Sequence, residues 1–256
     1  MTRKRPLSNG PYLLSPAADA ITIAWEMSEE LDAIVRCGTE TLCCTAAAKR
    51  QCVNREIQRW LYTVRLTALT EGTVYRYAVC VGEERLYEGS FRTLAAAPER
   101  LHLVTVSDTQ LFHLSDRFAA MAAQEQPDFI LHGGDISFGT GYQHEQYEAN
   151  WFQRIPEVLA AAPVFYETLF LRPQAKYLNA APDGHSFSMD YGIAHIVMVD
   201  STPWGLFEMN AENAGGTLDA ENRQRIRETL AWVEADLMSA SSQKARWRIL
   251  MMHHPY

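Results

Sequence analysis

The chain has 256 residues, of which 47% are hydrophobic and 21% charged, and a formal net charge of -8 at pH 7. This balance is typical of a globular protein, and its apolar stretches, such as residues 196–199 and 249–252, are far shorter than the roughly 20 residues that span a bilayer. A disordered chain and a transmembrane protein are therefore excluded, and the acidic balance predicts neither nucleic acid nor membrane as a partner.

The first 93 residues predict an all-β domain. Ile21, Ile23 and Trp25 alternate with polar or small residues, and the same period of two recurs at residues 62–67 and 75–81. Such alternation buries one face of each strand, as in a β-sandwich, so we expect the aromatic residues of these strands in the core and not in a ligand-stacking site. Residues 69–75 predict the turn into a tyrosine corner, in which a phenolic hydroxyl returns to the backbone upstream of its strand.

The five cysteines all lie in the first third of the chain, and none has the CxxC spacing of a zinc site. We interpret them as reduced thiols, which indicates a cytoplasmic protein; a disulfide from Cys43 or Cys44 to Cys52 stays open. The basic start, residues 1–6, is not followed by the apolar segment of a signal peptide. A secreted protein whose signal has already been removed is the alternative.

Residues 94–100 predict a short linker, after which the pattern changes. Residues 101–106 and 129–131 are apolar runs of strand length, and residues 163–171, 185–191, 193–199 and 246–252 also predict strands. Apolar residues at helical spacing occupy residues 114–122, 151–159 and 226–237, with Pro156 expected to interrupt or kink the second helix and Thr217 or Asp219 to cap the third. Strands that alternate with helices predict an α/β layered domain.

Polar residues follow three of the predicted strands. Asp108 follows the first, Asp135 follows the second after two glycines, and His253 with His254 follows the last. The carboxyl ends of strands in α/β sheets form the crevice where ligands bind, and carboxylate oxygen and imidazole nitrogen are ligands for zinc, iron or manganese. A single aspartate at a strand end is more often a turn or capping residue, so the prediction of a metal centre depends on the order of all three motifs.

With its three polar motifs in this order along the sequence, the chain resembles the calcineurin-like metallophosphoesterases, and more closely their purple acid phosphatase branch. Residues 10–16 with 21–25 resemble the N-terminal domain of that branch, and residues 185–192 with 195–201 resemble its paired mid-domain strands. The resemblance implies a fibronectin type III-like β-sandwich over residues 1–93, a linker over 94–100, and an α/β/β/α metallophosphoesterase domain over 101–256 that is truncated at its C-terminal end.

The resemblance also implies a binuclear centre of iron, zinc or manganese. Asp108 would hold the first metal ion, Asp135 would bridge both, and His253 would hold the second. His254 would contact phosphate as a candidate catalytic residue. Gln110 stands where the family has Gly or His, and it would contact metal or phosphate or, as we favour, hold the loop. The substrate would be a small phosphate ester.

The chain departs from the family at three further motifs. Phe138 replaces the metal-binding Tyr of the purple branch, so we expect no phenolate–iron colour. Residues 167–173 lack the Asn and His of the third motif, and the last motif, Gly-His-x-His, would lie beyond Tyr256. Two hypotheses follow: a phosphoesterase that uses a metal-activated hydroxide and is incomplete as given, or a catalytically inactive fold retained as a binding or structural protein. The oligomeric state is open.

Overall fold

The computed structural model describes residues 6–109, 115–136, 148–166, 186–203 and 220–254. Its strands are β1 (Leu7–Leu14), β2 (Ile21–Met27), β3 (Ala33–Gly38), β4 (Cys44–Ala47), β5 (Lys49–Asn54), β6 (Arg59–Leu66), β7 (Val74–Val81), β8 (Glu84–Arg92), β9 (Leu103–Val106), β10 (Phe129–His132), β11 (Val164–Tyr166), β12 (Phe187–Tyr191), β13 (Ala194–Met198) and β14 (Trp247–Met251). Its helices are α1 (Ser115–Glu125), α2 (Pro156–Ala161), α3 (Ala220–Leu237) and α4 (Ala240–Lys244), and a π-helical turn spans Glu148–Phe152. Among the described helices, none combines the length and the apolar character that a membrane crossing requires.

The first eight strands form a sandwich of two antiparallel sheets. Sheet 1 has the order β1-β2-β6-β5 and sheet 2 the order β4-β3-β7-β8. The alternating residues predicted to face inward do so: Ile21, Ile23 and Trp25 are fully buried in the core between the sheets. The indole of Trp25 stacks on the ring of Tyr62 with 5.5 Å between centroids. These aromatic residues therefore form part of the sandwich core and not a ligand-stacking site.

The predicted tyrosine corner is present in the sandwich. The backbone N–H of Thr70 donates a hydrogen bond of 2.9 Å to the hydroxyl of Tyr75. The ring of Tyr75 stacks on Phe91, with 5.7 Å between centroids. These contacts anchor the turn between β6 and β7 to the strand that it enters.

The cysteines are free thiols. Cys37 and Cys80 are buried, while the side chains of Cys43 and Cys44 are exposed with their sulfur atoms 3.9 Å apart. Because Cys52 is also free, the structure contains no disulfide from Cys43 or Cys44 to Cys52.

Strand β2 corrects the expectation that each strand of the sandwich buries only one face. Ala24 and Glu26 point away from the sandwich core, yet they are only 0% and 1% exposed. The second half of the chain covers this outer face, where the ring of Tyr12 lies 4.9 Å from that of Phe152. Alternation within β2 cannot reveal this burial, because the covering residues come from a distant segment of the chain.

A buried polar network joins the sandwich to the π-helical turn. The guanidinium of Arg59 donates hydrogen bonds to both carboxylate oxygens of Glu148. The side-chain amide of Asn9 donates to Glu26 Oε2 at 2.6 Å and to Glu148 Oε1 at 2.9 Å. Since Asn9, Glu26 and Glu148 are all buried, these hydrogen bonds replace the water that the polar groups give up on folding.

The second half of the chain has two facing sheets with helices on their outer sides. Sheet 3 has the parallel order β11-β10-β9, and sheet 4 has the order β12-β13-β14. Their facing sides share a core that includes Phe129, Leu131, Ile196 and Met198. Helices α1 and α2 pack on the other side of sheet 3, and α3 and α4 lie on the other side of sheet 4. The second half of the chain therefore has the predicted kinds of layer, sheets covered by helices.

Several predicted elements change in detail. Pro156 begins α2 and does not interrupt a longer helix, because its fixed φ suits the first helical turn, and the π-helical turn has already ended at Phe152. Met121 and Leu230 were expected on apolar helix faces but are 57% and 47% exposed. The predicted caps Thr217 and Asp219, and the predicted strand beyond residue 166, lie outside the described residues. The domain boundaries at residues 93 and 101 stay predictions.

A buried histidine joins sheet 4 to α3. His195 Nδ1 lies 2.7 Å from Asp190 Oδ1, and its Nε2 lies 2.7 Å from Asp236 Oδ2. Ser188 donates to the other oxygen of Asp236, and Arg248 is the partner of His195 in the β13–β14 register. Carboxylates only accept hydrogen bonds when ionised, so both ring nitrogens carry protons. Burial opposes this charge, but the hydrogen bonds to Asp190 and Asp236 outweigh it and raise the pKa of His195.

This arrangement predicts a stability that falls as the pH rises. A raised folded-state pKa means that the stabilisation is fully present below the ordinary value of 6.5 and is lost as the pH rises through the folded-state pKa. We expect the free energy of unfolding of the wild type, measured in urea from pH 5.5 to 9, to decline above pH 6.5 more than that of His195→Gln. His102→Gln, at an exposed position, is the matched control and should follow the wild type. Parallel curves for His195→Gln and the wild type would contradict this reading.

Candidate metal centre

The three sequence-predicted ligands meet at one edge of the two facing sheets. Strands β9 and β10 are parallel neighbours, with Val106 opposite His132, so the chain leaves both strands at the same edge. Asp108 and Asp135 follow these strands, and His253 follows β14 in the facing sheet. One ligand atom from each of these three side chains lies within 4.8 Å of the other two.

Hydrogen bonds tie together the two loops that carry the aspartates. The N–H of Asp108 donates to Gly134 O at 3.1 Å, and the N–H of Gly133 donates to Val106 O at 2.8 Å. The hydroxyl of Ser107 donates to Asp108 Oδ2 at 2.5 Å. Asp108 and Asp135 have φ angles of +56° and +55°, a conformation that costs about 1–3 kcal/mol in a non-glycine residue. The loops therefore hold both carboxylates in a strained but well-supported geometry.

The hydrogen bond of His253 fixes which of its nitrogens faces the aspartates. Its Nδ1 lies 2.8 Å from the carbonyl oxygen of Gly133, which only accepts, so Nδ1 carries the proton. In the neutral ring Nε2 then presents its lone pair, and this atom lies 3.6 Å from Asp135 Oδ2. Histidines that bind metal ions are commonly oriented in this way, by a hydrogen bond from the second nitrogen to a carbonyl or carboxylate.

The spacing of the donor atoms fits a metal ion. Two ligand atoms that each lie about 2.1 Å from a tetrahedral ion are separated by about 3.4 Å. The 3.6 Å between His253 Nε2 and Asp135 Oδ2 is close to that separation. Two carboxylates and one imidazole form a donor set that suits zinc, manganese or iron.

Gly134 occupies a position that other residues cannot fill without displacing His253. Its φ is +99°, and a Cβ built on it would lie 2.8 Å from Nδ1 of His253. We expect Gly134→Ala to weaken Mn²⁺ binding at least about 10-fold in isothermal titration, because the shifted imidazole would no longer face Asp135.

Gly72→Ala is the control for this prediction. Gly72 also has a positive φ, of +61°, but nothing lies within 4 Å of a Cβ built there. That variant should lose about 1 kcal/mol of stability from backbone strain and keep wild-type metal affinity. Equal metal affinities for Gly134→Ala and the wild type would show that the close contact with His253 does not matter.

Sequence reasoning missed His132, which lies directly beneath the two aspartate loops. Its side chain is completely buried. The N–H of Gly134 lies 3.2 Å from His132 Nδ1, and Nε2 lies 3.0 Å from Thr109 Oγ1. Burial, with a smaller contribution from nearby His253, lowers the pKa of His132 to about 3, so the ring is neutral. The sequence signal that could have identified His132 is its position as a single polar residue directly after the apolar run 129–131.

His254, the predicted catalytic residue, lies beside the three ligands. Its Nδ1 and its backbone N–H are each 3.3 Å from Ser201 Oγ, and its ring centroid is 4.8 Å from that of His253. The neighbouring Asp200, also missed by sequence reasoning, is buried and pairs with Arg225 at 3.4 Å. The remaining candidate site residue, Gln110, and the family departure at Phe138 lie outside the described residues.

The fold is shared with a known protein of 15% sequence identity. The structure of PhoD matches with a TM-score of 0.61 over 98% of this chain and 62% of the PhoD chain. The present chain therefore shares the fold of PhoD over nearly its whole length and spans less than two thirds of the PhoD chain. No protein-family model matches the sequence. No curated protein matches it either.

Two further solved structures match mainly small parts of the chain. The sensor domain of the anti-sigma factor RsgI4 in Pseudobacteroides cellulosolvens, in its long form, is 14% identical and covers 37% of this chain and 93% of its own, with a TM-score of 0.29. The FN1–FN3 domains of chicken CNTN1 are 13% identical and cover 40% of this chain and 39% of their own, with a TM-score of 0.23. Both scores are too low to support a shared fold.

Proposed function

We propose that this chain is a metal-dependent hydrolase of small phosphate esters. The observation that carries the proposal is the meeting of Asp108, Asp135 and His253, with donor atoms within 4.8 Å of one another, at the strand ends of a phosphoesterase-like fold. Acidic residues often cluster without a metal ion, but here a hydrogen bond from Nδ1 leaves His253 Nε2 free to bind one. Strand ends are also the common ligand-binding edge of α/β sheets.

The residues of this site would divide the work between metal binding and substrate binding. Asp108 would hold one ion, His253 a second, and Asp135 would bridge the two. Iron, zinc or manganese ions held there would supply Lewis-acid activation of the attacking water and of the phosphoryl group. His254, which contacts Ser201 at the rim of the ligand cluster, would bind a phosphoryl oxygen or protonate the leaving group.

We further infer a calcineurin-like, purple acid phosphatase-like architecture with a fibronectin type III-like sandwich over residues 1–93, a linker over 94–100 and a metallophosphoesterase domain from residue 101. The two four-stranded sheets and the hydrogen bond from Thr70 to Tyr75 support the type of sandwich. The layers of helices, sheet, sheet and helices support the type of the second domain.

Hydrolysis of p-nitrophenyl phosphate and bis(p-nitrophenyl) phosphate tests the proposal. The chain, and the longest natural chain that contains it, would be assayed after EDTA treatment and after addition of Mn²⁺, Zn²⁺ or Fe²⁺. We expect hydrolysis that EDTA abolishes and that one of these ions restores. No hydrolysis of either ester by either chain with any of the ions would reject the proposal.

The second candidate is a fold that has lost the chemistry and serves as a binding or structural protein. Phe138 and the absence of Asn and His from residues 167–173 favour it, because both remove groups that the family uses at its metals. Elemental analysis of the purified protein separates the two candidates. About two metal ions per chain support the hydrolase, and none after incubation with excess metal supports the second candidate.

A further inference from the structure

His132 is the last residue of β10 and is held by aromatic neighbours. Its ring meets Trp151 edge-on at 4.9 Å between centroids and stacks on Tyr166 at 5.8 Å. The indole N–H of Trp151 donates to the hydroxyl of Tyr166 at 2.9 Å, so these two rings are themselves fixed. The imidazole is completely buried and its orientation is set by packing on two sides.

Both ring nitrogens of His132 take part in hydrogen bonds whose directions are determined by their partners. The N–H of Gly134 only donates, so Nδ1 accepts and carries no proton. In a neutral imidazole the proton is then on Nε2, which donates to the hydroxyl oxygen of Thr109. The pKa of about 3 that burial imposes agrees with a neutral ring.

The partners of His132 are the immediate neighbours of the two carboxylate ligands. Thr109 follows Asp108 in the sequence, and Gly134 precedes Asp135. The imidazole therefore connects the two loops through one hydrogen bond to each. Backbone hydrogen bonds from Asp108 N–H to Gly134 O and from Gly133 N–H to Val106 O also join this region.

We propose that His132 is a positioning residue that locks the Asp108 loop and the Asp135 loop together at the separation that metal binding requires. This inference rests on the proposed function and names a residue that touches neither metal ion nor substrate. Two ionised carboxylates as close as those of Asp108 and Asp135 repel each other, so the link through His132 adds to the backbone hydrogen bonds that resist separation of the loops. Removal of groups that orient metal ligands typically weakens metal binding 10–100-fold.

The test measures Mn²⁺ and Co²⁺ affinity by isothermal titration, with the Co²⁺ absorption spectrum as a report of ligand geometry. His132→Phe keeps a buried ring but removes both hydrogen bonds, and Thr109→Val removes the acceptor of Nε2 and leaves the bond to Nδ1 in place. We expect a loss of about 10–100-fold in affinity for His132→Phe, and a smaller loss for Thr109→Val. In the double variant of His132→Phe with Thr109→Val, the second substitution should cause no further loss of metal affinity. The hydrogen bond between these two side chains is already removed by His132→Phe.

Two further variants separate positioning from packing. His132→Asn retains an acceptor near the Nδ1 position for the N–H of Gly134, so it should recover part of the affinity and of the Co²⁺ spectrum that His132→Phe loses. Trp151→Phe disturbs the packing on the same imidazole without touching either loop bond; it should lower stability and change metal affinity less than about 2-fold.

Two results would overturn the inference. If the wild type binds metal and Thr109→Val, His132→Asn and His132→Phe all bind it equally tightly with an unchanged Co²⁺ spectrum, His132 is only a core residue. If Trp151→Phe weakens binding as much as His132→Phe, packing and not the two hydrogen bonds sets the affinity. A wild type that binds neither ion rejects the proposed function itself, which is a different outcome from either of these.

Discussion

Asp135→Asn is expected to abolish metal-dependent hydrolysis and to weaken Mn²⁺ binding by more than about 100-fold. The loss of an outer hydrogen-bonding partner of a metal ligand typically costs 10–100-fold, and here a ligand itself loses its charge. Asn is nearly isosteric with Asp, so the loop and its hydrogen bonds should persist. Isothermal titration with Mn²⁺ and initial rates with p-nitrophenyl phosphate measure the two effects.

Asp32→Asn is the matched control for this variant. The side chain of Asp32 is exposed in the sandwich, where it pairs with Arg50, and it lies outside the ligand cluster. It should bind Mn²⁺ and hydrolyse the ester as the wild type does. Wild-type Mn²⁺ affinity in Asp135→Asn would remove Asp135 from the ligand set.

Arg59→Ala is expected to lower the free energy of unfolding by about 3 kcal/mol. The variant would leave Glu148 as a buried carboxylate without its cation, and breaking one partner of a buried pair costs about 3–5 kcal/mol. Asn9 would remain as a donor to Glu148 and should soften the effect to the lower end of that range. Urea unfolding followed by tryptophan fluorescence measures the change.

Two comparisons make this prediction specific to burial. Arg50→Ala removes an arginine that pairs with Glu30 and Asp32 on the surface of the same sandwich, and it should cost less than about 1 kcal/mol. The double variant Arg59→Met with Glu148→Met replaces the pair by apolar side chains and should recover most of the stability. Equal costs for Arg59→Ala and Arg50→Ala would show that the network between sandwich and π-helical turn does not hold them together.

The strands of the sandwich were predictable because the alternation of apolar and polar residues and the turn residues lie within short segments of the sequence. The alternation of Ile21, Ile23 and Trp25 determines which face of β2 is apolar, and residues 69–75 carry the turn chemistry of the tyrosine corner. The burial of Ala24 and Glu26 was not predictable, because the covering surface belongs to residues more than 100 positions later in the chain. A separation of 89 positions likewise hides the pairing of Arg59 with Glu148.

The candidate site was predictable to the extent that it follows from topology. Aspartates after two parallel neighbouring strands must emerge at one edge of the sheet, so the general rule for α/β sheets predicts from the sequence alone that Asp108 and Asp135 lie close together. The role of His132 depends on which atoms its two nitrogens meet, and the sequence does not contain that information. His195 was likewise read as part of a strand motif, although its two carboxylate partners belong to β12 and α3.

Anomalous diffraction from crystals grown with Mn²⁺ or Zn²⁺ tests the central claim most directly. The account predicts one or two anomalous peaks, with a carboxylate oxygen of Asp108, a carboxylate oxygen of Asp135 and His253 Nε2 each about 2.0–2.3 Å from a peak. Crystals of Asp135→Asn grown in the same way should lose the peak. A peak at another place in the molecule, or no peak at saturating metal with Asp108, Asp135 and His253 ordered, would contradict the account.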